Sequence, residues 1–362
     1  MIKVLFLAEN LSYGGAQKML TFLANSLDKE KFQVSILNQN AEVPIARRLN
    51  EDIQYFEHKQ YKGKLKRIKE IIYLRDKVVE EDIDVIVSFL TFPNLIATVV
   101  KLLCKVKVII SERGDPTILS DFINRCFRLF ENIADGAVFQ TVGAQQCYPR
   151  LLQKKSVVIA NPVVTPNLSK PYAYRNEILN IASVGRFECI QKRQDLLIKA
   201  FSDVILKGYN VVLNFYGTGP DEEMCKELVK KYGISNKVNF HGKTLNVQEE
   251  LLKNDLFILT SDFEGIPNVL IEAMSIGMPV IATDCSPGGA ALLIENGING
   301  ILVPTGDNIL LAEAVTSLIE HPERATQLGI EAIKICEKFT PNIIVNMWED
   351  YIISVFNRRR KK

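Results

Sequence analysis

No apolar run in this chain is long enough to cross a membrane. The longest candidate, residues 95–100, stops at Lys101, whereas a spanning helix needs about 20 apolar residues. The first apolar segment, residues 2–8, is broken by Glu9 and Asn10 and has no cleavage-type tail, which argues against a signal peptide. We therefore expect a cytoplasmic protein that is either soluble or peripheral on a membrane.

Cysteine and histidine are too sparse and scattered to predict a metal site. The 7 cysteines are odd in number and no two have C-x-x-C spacing, so neither a zinc site nor a disulfide framework is expected. They are typical of small buried residues in a reducing compartment. The one D-x-D sequence, Asp82-Ile83-Asp84, precedes its strand, where we expect a helix-to-strand turn. No metal and no other cofactor is therefore expected.

A dinucleotide-binding motif is also missing. No G-x-G-x-x-G follows the first apolar segment, where only Gly14-Gly15 stands, so a dinucleotide-binding oxidoreductase is disfavoured. The ordinary glycine and proline content and the single Trp exclude collagen-like and low-complexity chains. The chain is, however, rich in hydrophobic residues. Its 362 residues are 47% hydrophobic, which is enough for two domains with full cores.

Short apolar segments alternate with amphipathic ones along the chain. This alternation predicts an α/β protein with parallel sheets and covering helices. Strands are predicted at residues 3–8, 32–37, 85–89, 106–111, 136–140 and 157–159, then at 178–185, 211–216, 238–240 and 256–260, with a last helix at 342–356. Residues 163–175 contain two prolines and few apolar residues, so we take them as a linker. One domain is therefore predicted at 1–165 and a second at 166–341.

The most informative segment is residues 261–273, which follow the predicted strand at 256–260. A short polar loop and then a helix are predicted, because Pro267 suits a first helical turn. Glu264 would lie in the loop and Glu272 in the second helical turn, near the strand end where open α/β sheets bind ligands. Such carboxylates can accept hydrogen bonds from the diols of a ribose and a hexose, while the helix N-terminus suits phosphate. Two solvated glutamates on an amphipathic helix are the alternative.

Basic residues follow another predicted strand. Arg186 comes directly after Gly185 at the strand end, and Lys192 follows within the same loop. An arginine there can bind a phosphate with two hydrogen bonds, and the lysine can reach the same diphosphate as a point charge. Ordinary surface bases are the alternative. Turns at 217–220 and at His241 end two further strands, so four strand ends are expected at one edge of the sheet.

The order and spacing of these motifs resemble the retaining glycosyltransferases of family 4, which have the GT-B architecture. The matching residues are Glu264 and Glu272 of the E-x7-E pair, with Gly265 and Pro267 in register; Gly185, Arg186, Gln191 and Lys192; Gly217, Gly219 and Pro220; residues 277–283; Pro287, Gly288 and Gly289; residues 296–303; and Gly14-Gly15-Ala16. The resemblance is clearest over residues 178–304. It implies two Rossmann-like, doubly wound parallel-sheet domains that face a cleft, with a C-terminal helix (about 342–362) that crosses back to the N-terminal domain.

The resemblance also implies the reaction. A sugar would move from a nucleotide-diphosphate sugar, with UDP-sugars favoured, and retention would give an α-linkage. Arg186 and Lys192 would stabilise the departing diphosphate, where negative charge develops. Glu264 would bind sugar hydroxyls and is not assigned as a nucleophile, whereas Glu272 would bind the ribose. The implied donor-binding residues are Gly15, Gly185, Gly217, Gly219, His241, Gly265, Ile266, Pro267, Asn268 and Glu272.

One departure from the family leaves the acid–base group open. Many relatives have a histidine in a segment like Ser-Glu-His, but here the segment is Ser111-Glu112-Arg113-Gly114-Asp115. Arg113 cannot act as a base at neutral pH, although it could bind a phosphate of the donor or the acceptor. Glu112 or Asp115 could accept a proton.

The charge is divided unequally along the chain. Residues 1–170 contain 24 Lys and Arg against 18 Asp and Glu, whereas residues 171–357 contain 15 against 24. Bases alternate with apolar residues over 59–69, which predicts a basic amphipathic helix of the kind that lies on anionic membrane. A solvated helix face is the alternative. Together with the resemblance, this pattern suggests a polyprenyl-diphosphate-linked or other glycan acceptor at the inner face of the cell membrane, and no nucleic-acid partner.

Other functions share this architecture. A nucleotide-sugar epimerase would act without an acceptor. A glycogen-type phosphorylase would need a pyridoxal lysine and a much longer chain. A non-catalytic partner subunit would only bind sugar nucleotide or lipid, and it would have no physical need for Arg186, Lys192, Glu264 and Glu272 together.

Overall fold

The structure, a computed structural model, describes residues 1–12, 14–40, 45, 48–58, 61, 65–118, 122–164, 173, 177–244 and 246–358. The chain divides into two units. Unit 1 consists of Met1–Asn161 and Pro341–Lys362, and unit 2 of Pro162–Thr340. The sequence placed the boundaries at 165/166 and 341/342. The predicted linker begins at Val163, which is fully buried and donates its N–H to Phe339 O at 2.7 Å within unit 2. Residues 165–172, 174 and 175 of that linker lie outside the described residues.

Unit 1 is built on a seven-stranded parallel sheet with the order β3-β2-β1-β4-β5-β6-β7. Its strands are β1 (Ile2–Ala8), β2 (Phe32–Asn38), β3 (Gln54–Glu57), β4 (Val85–Phe89), β5 (Lys107–Ser111), β6 (Gly136–Phe139) and β7 (Ser156–Val158). Its first helices are α1 (Gly15–Ser26), α2 (Lys66–Glu80), α3 (Thr91–Leu103), α4 (Phe122–Glu131), α5 (Val142–Gln146) and α6 (Arg150–Gln153). The central strands are almost wholly apolar because helices cover both faces of a parallel sheet.

The last helix, α16 (Pro341–Asn357), belongs to unit 1. Trp348 is fully buried and stacks on Phe89, with 6.0 Å between the ring centroids. The hydroxyl of Tyr351 accepts from Ala137 N at 2.9 Å. The carboxylate of Glu349 accepts from the backbone N–H of Asp28 at 2.8 Å. The return of the C-terminal helix to the first domain, which the family resemblance implied, is confirmed.

Unit 2 contains a six-stranded parallel sheet with the order β10-β9-β8-β11-β12-β13. Its strands are β8 (Asn180–Val184), β9 (Val212–Tyr216), β10 (Val238–Phe240), β11 (Leu256–Leu259), β12 (Val280–Thr283) and β13 (Ile301–Val303). Its helices are α7 (Cys189–Lys192), α8 (Gln194–Leu206), α9 (Glu222–Lys231), α10 (Val247–Leu251), α11 (Asn268–Ser275), α12 (Gly289–Leu293), α13 (Asn308–Glu320), α14 (Pro322–Ala332) and α15 (Ile335–Lys338). The prediction of two Rossmann-like α/β domains is confirmed.

Two elements of unit 1 differ from the sequence prediction. β3 was missed, because it is a short edge strand with a polar sequence and no fully buried residue. The basic helix begins at Lys66, whereas residues 59, 60 and 62–64 of the predicted stretch lie outside the described residues. Within the described ranges, no helix is both long and apolar enough to span a membrane.

Candidate functional site

The loop after β8 folds back over the end of its strand. Gly185 and Arg186 lead into α7, a single helical turn that ends at Lys192. Arg193 then adopts a left-handed conformation with φ 51°, and α8 begins. The side chain of Gln194 donates to Arg186 O at 2.8 Å and closes the loop. The hydrocarbon chain of Lys192 lies beside Gly185, since a Cβ added there would be 3.7 Å from Lys192 Cδ.

Lys192 and Glu264 form an ion pair between two strand ends. The ammonium group contacts Glu264 Oε1, and Ser261 Oγ donates to the same oxygen at 3.0 Å. The two side chains are 18% and 12% exposed, so water screens the pair only in part. The loops meet because β8 and β11 are neighbours in the sheet. Two residues that the sequence assigned to different parts of the ligand are therefore joined.

Arg193, to which sequence reasoning gave no role, fixes the backbone around this pair. Its guanidinium contacts Asp262 Oδ2 at 2.8 Å and both oxygens of Asp195 at 3.1 and 3.2 Å. These hydrogen bonds raise the pKa of Arg193 above its ordinary value. Thr260 Oγ1 donates to Lys192 O at 2.8 Å. In the sequence, only Asp195, which follows Arg193 closely, could have indicated these contacts. Asp262 is distant in the sequence and is brought near Arg193 only by folding.

Gly217 and Gly219 allow the loop after β9 to pass against the loop after β8. A Cβ at Gly217 would be 1.9 Å from Gly185 O, and a Cβ at Gly219 would be 2.2 Å from Phe187 O. Backbone carbonyls cannot rotate away as a side chain does, so both positions require glycine. The two glycines thus have a packing role, and their contact with a donor stays a prediction.

Ser286 and Gly289 contact the Glu264 segment; Gly289 belongs to the match at residues 287–289, which in the family forms a Gly-rich phosphate loop. A Cβ added at Gly289 would be 1.6 Å from Gly265 O. Glu264 N donates to Ser286 O at 2.8 Å. The position of Glu264 is therefore set by backbone contacts with this loop as well as by Lys192.

The helix after this segment is α11. Pro267 is the residue before the helix, with φ −72°, and not a residue of its first turn as predicted. Ile266 and Pro267 are buried, whereas Asn268 is half-buried. Glu272 lies in the second turn, as predicted, and is half-buried. A helix of this kind presents its first N–H groups toward the carboxyl edge of the sheet.

Two further predicted residues have other partners. Arg186 is 67% exposed, and its guanidinium lies 3.7 Å from Glu188 Oε2. His241 Nε2 is 2.9 Å from Asn214 Oδ1, and the ring stacks on Tyr216 at 4.7 Å between centroids. Their proposed contacts with a diphosphate and a donor stay predictions.

Comparison with known proteins shows the enzyme class. Residues 167–335, nearly all of unit 2, match the family model for glycosyl transferases group 1. Over 366 residues the chain is 28% identical to a Campylobacter jejuni enzyme, with 99% of this chain and 100% of that protein covered. That relative is the GalNAc-α-(1→4)-GalNAc-α-(1→3)-diNAcBac-PP-undecaprenol α-1,4-N-acetyl-D-galactosaminyltransferase. This chain is a glycosyltransferase.

Solved structures have the same fold as this glycosyltransferase. The apo lipopolysaccharide outer core galactosyltransferase WaaB superposes with a TM-score of 0.79 at 20% identity, covering 98% of this chain and 99% of WaaB. Anabaena HepE in complex with UDP gives a TM-score of 0.78 at 18% identity, covering 98% of this chain and 100% of HepE. At these identities the likeness shows the fold alone, which is that of the GT-B glycosyltransferases.

In unit 1 of the glycosyltransferase, Arg113 is buried beside a stacked pair of aromatic rings. Its guanidinium carbon lies 5.1 Å from the ring centroid of Phe89 and 5.4 Å from that of Trp348. Arg113 Nη1 donates to Asn161 Oδ1 at 3.3 Å. Burial lowers the pKa of Arg113 to about 9, and the charge of Glu112 opposes this shift. The group is therefore still a cation at pH 7 and cannot be the base.

The other predicted residues of unit 1 lie at strand ends. Glu112 and Asp115 follow β5 and are buried. Gly15 is the first residue of α1, in the connection after β1. Parallel strands place all three residues at the carboxyl edge of the sheet. Within the described part of the chain, no group of three or more His, Cys, Asp or Glu is placed to hold a metal ion.

Apart from Tyr61, the described part of the basic stretch begins at Leu65, just before α2. Lys66 and Arg67 pair with buried Glu70 at 3.7 and 2.9 Å. Beside these bases, three apolar side chains are exposed: Leu65, Ile68 and Ile72. A purely solvated helix face would place polar side chains at those positions. Lys59, Lys62 and Lys64 lie outside the described residues.

Proposed function

We propose that this glycosyltransferase transfers a sugar from a UDP-sugar, with retention and hence an α-linkage, to a polyprenyl-diphosphate-linked or other glycan acceptor at the inner face of the cell membrane. The observation that carries the proposal is the half-buried contact between Lys192 and Glu264 at adjacent strand ends. Retention comes from the family resemblance. The C. jejuni relative, whose acceptor is a polyprenyl-diphosphate glycan, supports the proposed acceptor. HepE in complex with UDP supports uracil as the base of the donor.

The ion pair suits a donor that brings its own negative charge. A diphosphate offers more charge to the ammonium of Lys192 than one carboxylate does, so it can replace Glu264 as the partner. Glu264 Oε1 keeps its hydrogen bond from Ser261 and becomes able to accept from sugar hydroxyls. As the bond between the sugar and the diphosphate breaks, Lys192 stabilises the growing negative charge. Because a side chain supplies this positive charge, the mechanism assigns no metal.

The first turn of α11 completes the donor site. Its N–H groups suit phosphate oxygens, and Glu272, one turn later, accepts from the ribose hydroxyls. Arg186 is exposed beside the same strand end and can reach the diphosphate from the solvent side. The arrangement thus provides groups for the ribose, the diphosphate and the sugar from the ends of adjacent strands.

Acceptor dependence tests the proposed function. We would incubate the protein with UDP-N-acetylgalactosamine, UDP-galactose and UDP-glucose, with and without undecaprenyl-diphosphate-linked oligosaccharides, and measure UDP release. We expect release that requires the acceptor, and an α-anomeric signal in the NMR spectrum of the product. Conversion of the donor without acceptor would indicate an epimerase, and UDP binding without any turnover would indicate a non-catalytic subunit.

Replacing Glu272 with alanine should weaken UDP binding. A hydrogen bond to a charged group contributes about 1.5–3 kcal/mol, or roughly 10- to 150-fold in Kd. Isothermal titration calorimetry with UDP measures the change. Glu313→Ala, at an exposed position on α13 of the same unit, is the control and should bind UDP like the wild type. An unchanged affinity in Glu272→Ala would exclude the ribose contact.

Neutralising the bases of α2 should weaken binding to anionic membrane. Each base near such a surface contributes about 1 kcal/mol, so replacing Lys66, Arg67 and Lys69 with glutamine should lower the partition coefficient roughly 100-fold. Sedimentation with phosphatidylglycerol vesicles measures it, and circular dichroism checks the fold. The control replaces the exposed bases Arg48, Lys105 and Lys154 of the same unit. Equal partition of the wild type and the α2 variant would exclude a contribution of these three bases to membrane binding.

A further inference from the structure

Arg193 has a left-handed backbone conformation that arginine rarely adopts. Its φ is 51° and its ψ is 42°, in a region that strains residues with a Cβ and that glycine usually occupies. The residue lies directly after Lys192, between the one-turn helix α7 and α8. Strain of this kind persists only where surrounding contacts hold it, and such residues cluster at functional sites.

The side chain of Arg193 joins the loop after β11 to a well-packed helix. The guanidinium donates to Asp262 in that loop and to both carboxylate oxygens of Asp195 in the first turn of α8. Helix α8 buries Leu197 and Ile198 in the core of unit 2. A planar guanidinium with two bonds to one carboxylate fixes orientation as well as distance. Asp262 is therefore tied to a rigid element.

Helix α7 ends at Lys192 and is too short to hold this lysine by itself. It has four residues, and an isolated single turn is unstable. The loop after β11 supports it, because Asp262 N donates to Gln191 O at 2.8 Å and the side chain of Gln191 donates to Phe263 O at 3.1 Å. Arg193 binds Asp262 of the same loop. The backbone of Lys192 thus lies between two residues that are bonded to this loop.

Glu264 depends less on Arg193 than Lys192 does. Its N–H donates to Ser286 O at 2.8 Å, and its carboxylate accepts from Ser261 at 3.0 Å. Both contacts lie outside the loop after β8. Loss of the guanidinium would therefore leave Glu264 near its present position and would release mainly the end of α7.

Direct binding of the donor diphosphate by Arg193 is disfavoured. Its Nε, Nη1 and Nη2 atoms all donate to carboxylates already. The two carboxylates together outweigh the single positive charge, so the group as a whole would repel a second anion. A role through Lys192 fits these contacts better.

We propose that Arg193 is a positioning residue, whose bonds to Asp195 and Asp262 keep the end of α7 against the loop after β11 and so keep the ammonium of Lys192 aligned with the departing diphosphate. The proposal rests on the proposed function. It deepens that function by assigning part of the rate to a residue that does not touch the donor. Misplacing a reacting group by about 1 Å can cost about 100-fold in rate.

Arg193→Gly and Arg193→Asn separate the guanidinium from the backbone conformation. Glycine and asparagine both tolerate the left-handed region, but neither side chain can bind both aspartates. We expect kcat to fall about 10- to 100-fold in both variants, with the KM for the UDP-sugar close to that of the wild type. The melting temperature should fall by no more than about 4 °C, because the lost bonds are partly exposed.

Two further variants test the shape and the charge of the side chain. Arg193→Lys keeps the charge but lacks the planar fork, so its kcat should lie between those of the wild type and Arg193→Gly. Lys199→Ala removes an exposed base of α8 and should leave kcat unchanged.

A double-mutant cycle with Lys192→Ala distinguishes positioning from a general structural effect. If Arg193 acts through Lys192, adding Arg193→Gly to Lys192→Ala should lower kcat by less than about twofold. An equal fall of kcat in both backgrounds would overturn the proposal. So would a raised KM with an unchanged kcat in Arg193→Gly and Arg193→Asn.

Amide hydrogen exchange measured by NMR tests the contact without turnover. The amide of Asp262 donates to Gln191 O, so its exchange reports whether the two loops stay together. We expect it to be about tenfold faster in Arg193→Gly and Arg193→Asn, and unchanged in Lys199→Ala. Equal exchange in the wild type and both Arg193 variants would overturn the proposal, whether or not the protein transfers sugar. Faster exchange in a protein that transfers no sugar would uphold the support of α7 by Arg193 and reject the proposed function.

Discussion

Replacing Lys192 with alanine should reduce kcat by about 100- to 1,000-fold, the usual effect of losing one preorganised group that stabilises a developing anion. The KM for the donor should change much less. In the free protein the ammonium already pairs with Glu264, so the donor gains little ground-state binding when it exchanges one anionic partner for another. The gain comes when charge accumulates on the departing diphosphate. Steady-state kinetics with a UDP-sugar and a lipid-linked acceptor measures both constants.

Two further variants serve as controls for the loss of the positive charge of Lys192. Lys207→Ala removes an exposed lysine at the end of α8 and should leave kcat unchanged. Lys192→Arg keeps the charge but not the shape of the ammonium, so it should retain part of the activity. If Lys192→Ala raised KM and left kcat unchanged, the lysine would be a binding residue only and its place in the mechanism would be wrong.

Replacing Gly289 with alanine should destabilise unit 2, although helix propensity alone predicts the opposite. Alanine in a helix is favoured over glycine by about 0.5–1 kcal/mol. Here the new Cβ would be 1.6 Å from Gly265 O, and only a shift of the backbone could relieve the overlap. We expect a loss of about 2–3 kcal/mol, which corresponds to roughly 4–12 °C in Tm for a unit of this size. Because Glu264 adjoins Gly265, UDP-sugar binding and turnover should fall as well.

Gly208→Ala is the matched control for this change. Gly208 has φ 91° and no atom within 4 Å of an added Cβ. Alanine there should therefore destabilise the protein by about 1–2 kcal/mol through backbone strain, without a steric overlap. Calorimetry should show a smaller loss of stability, and kinetics should show unchanged turnover. A Gly289→Ala protein as stable and active as the wild type would mean that the two loops do not touch as described.

The sequence was most informative about strand ends. Glu272 was correctly placed in a second helical turn, and the strand before Gly185 was identified, because apolar runs and glycine turns depend on short-range rules. The contact between Lys192 and Glu264 could not be predicted in this way. It exists because β8 and β11 are adjacent in the sheet, and sheet order is set by the packing of the whole unit.

The structure changed the interpretation of other residues, because it showed what surrounds them. Gly217 and Gly219 were predicted to contact a ligand, and the structure shows that they also let two backbones approach. Arg113 was given as a possible phosphate ligand, and the structure shows that its guanidinium also packs beside Phe89 and a tryptophan from the last helix. These surroundings depend on long-range packing that no local pattern encodes.

The most direct test of the exchange of partners at Lys192 is a crystal structure of the protein with UDP and with an unhydrolysed UDP-sugar. We expect the ammonium of Lys192 within about 2.7–3.2 Å of a diphosphate oxygen, the carboxylate of Glu264 released toward the sugar hydroxyls, and Glu272 bonded to the ribose. A nucleotide bound elsewhere, or a diphosphate in this site while Lys192 still contacts Glu264 alone, would contradict the account.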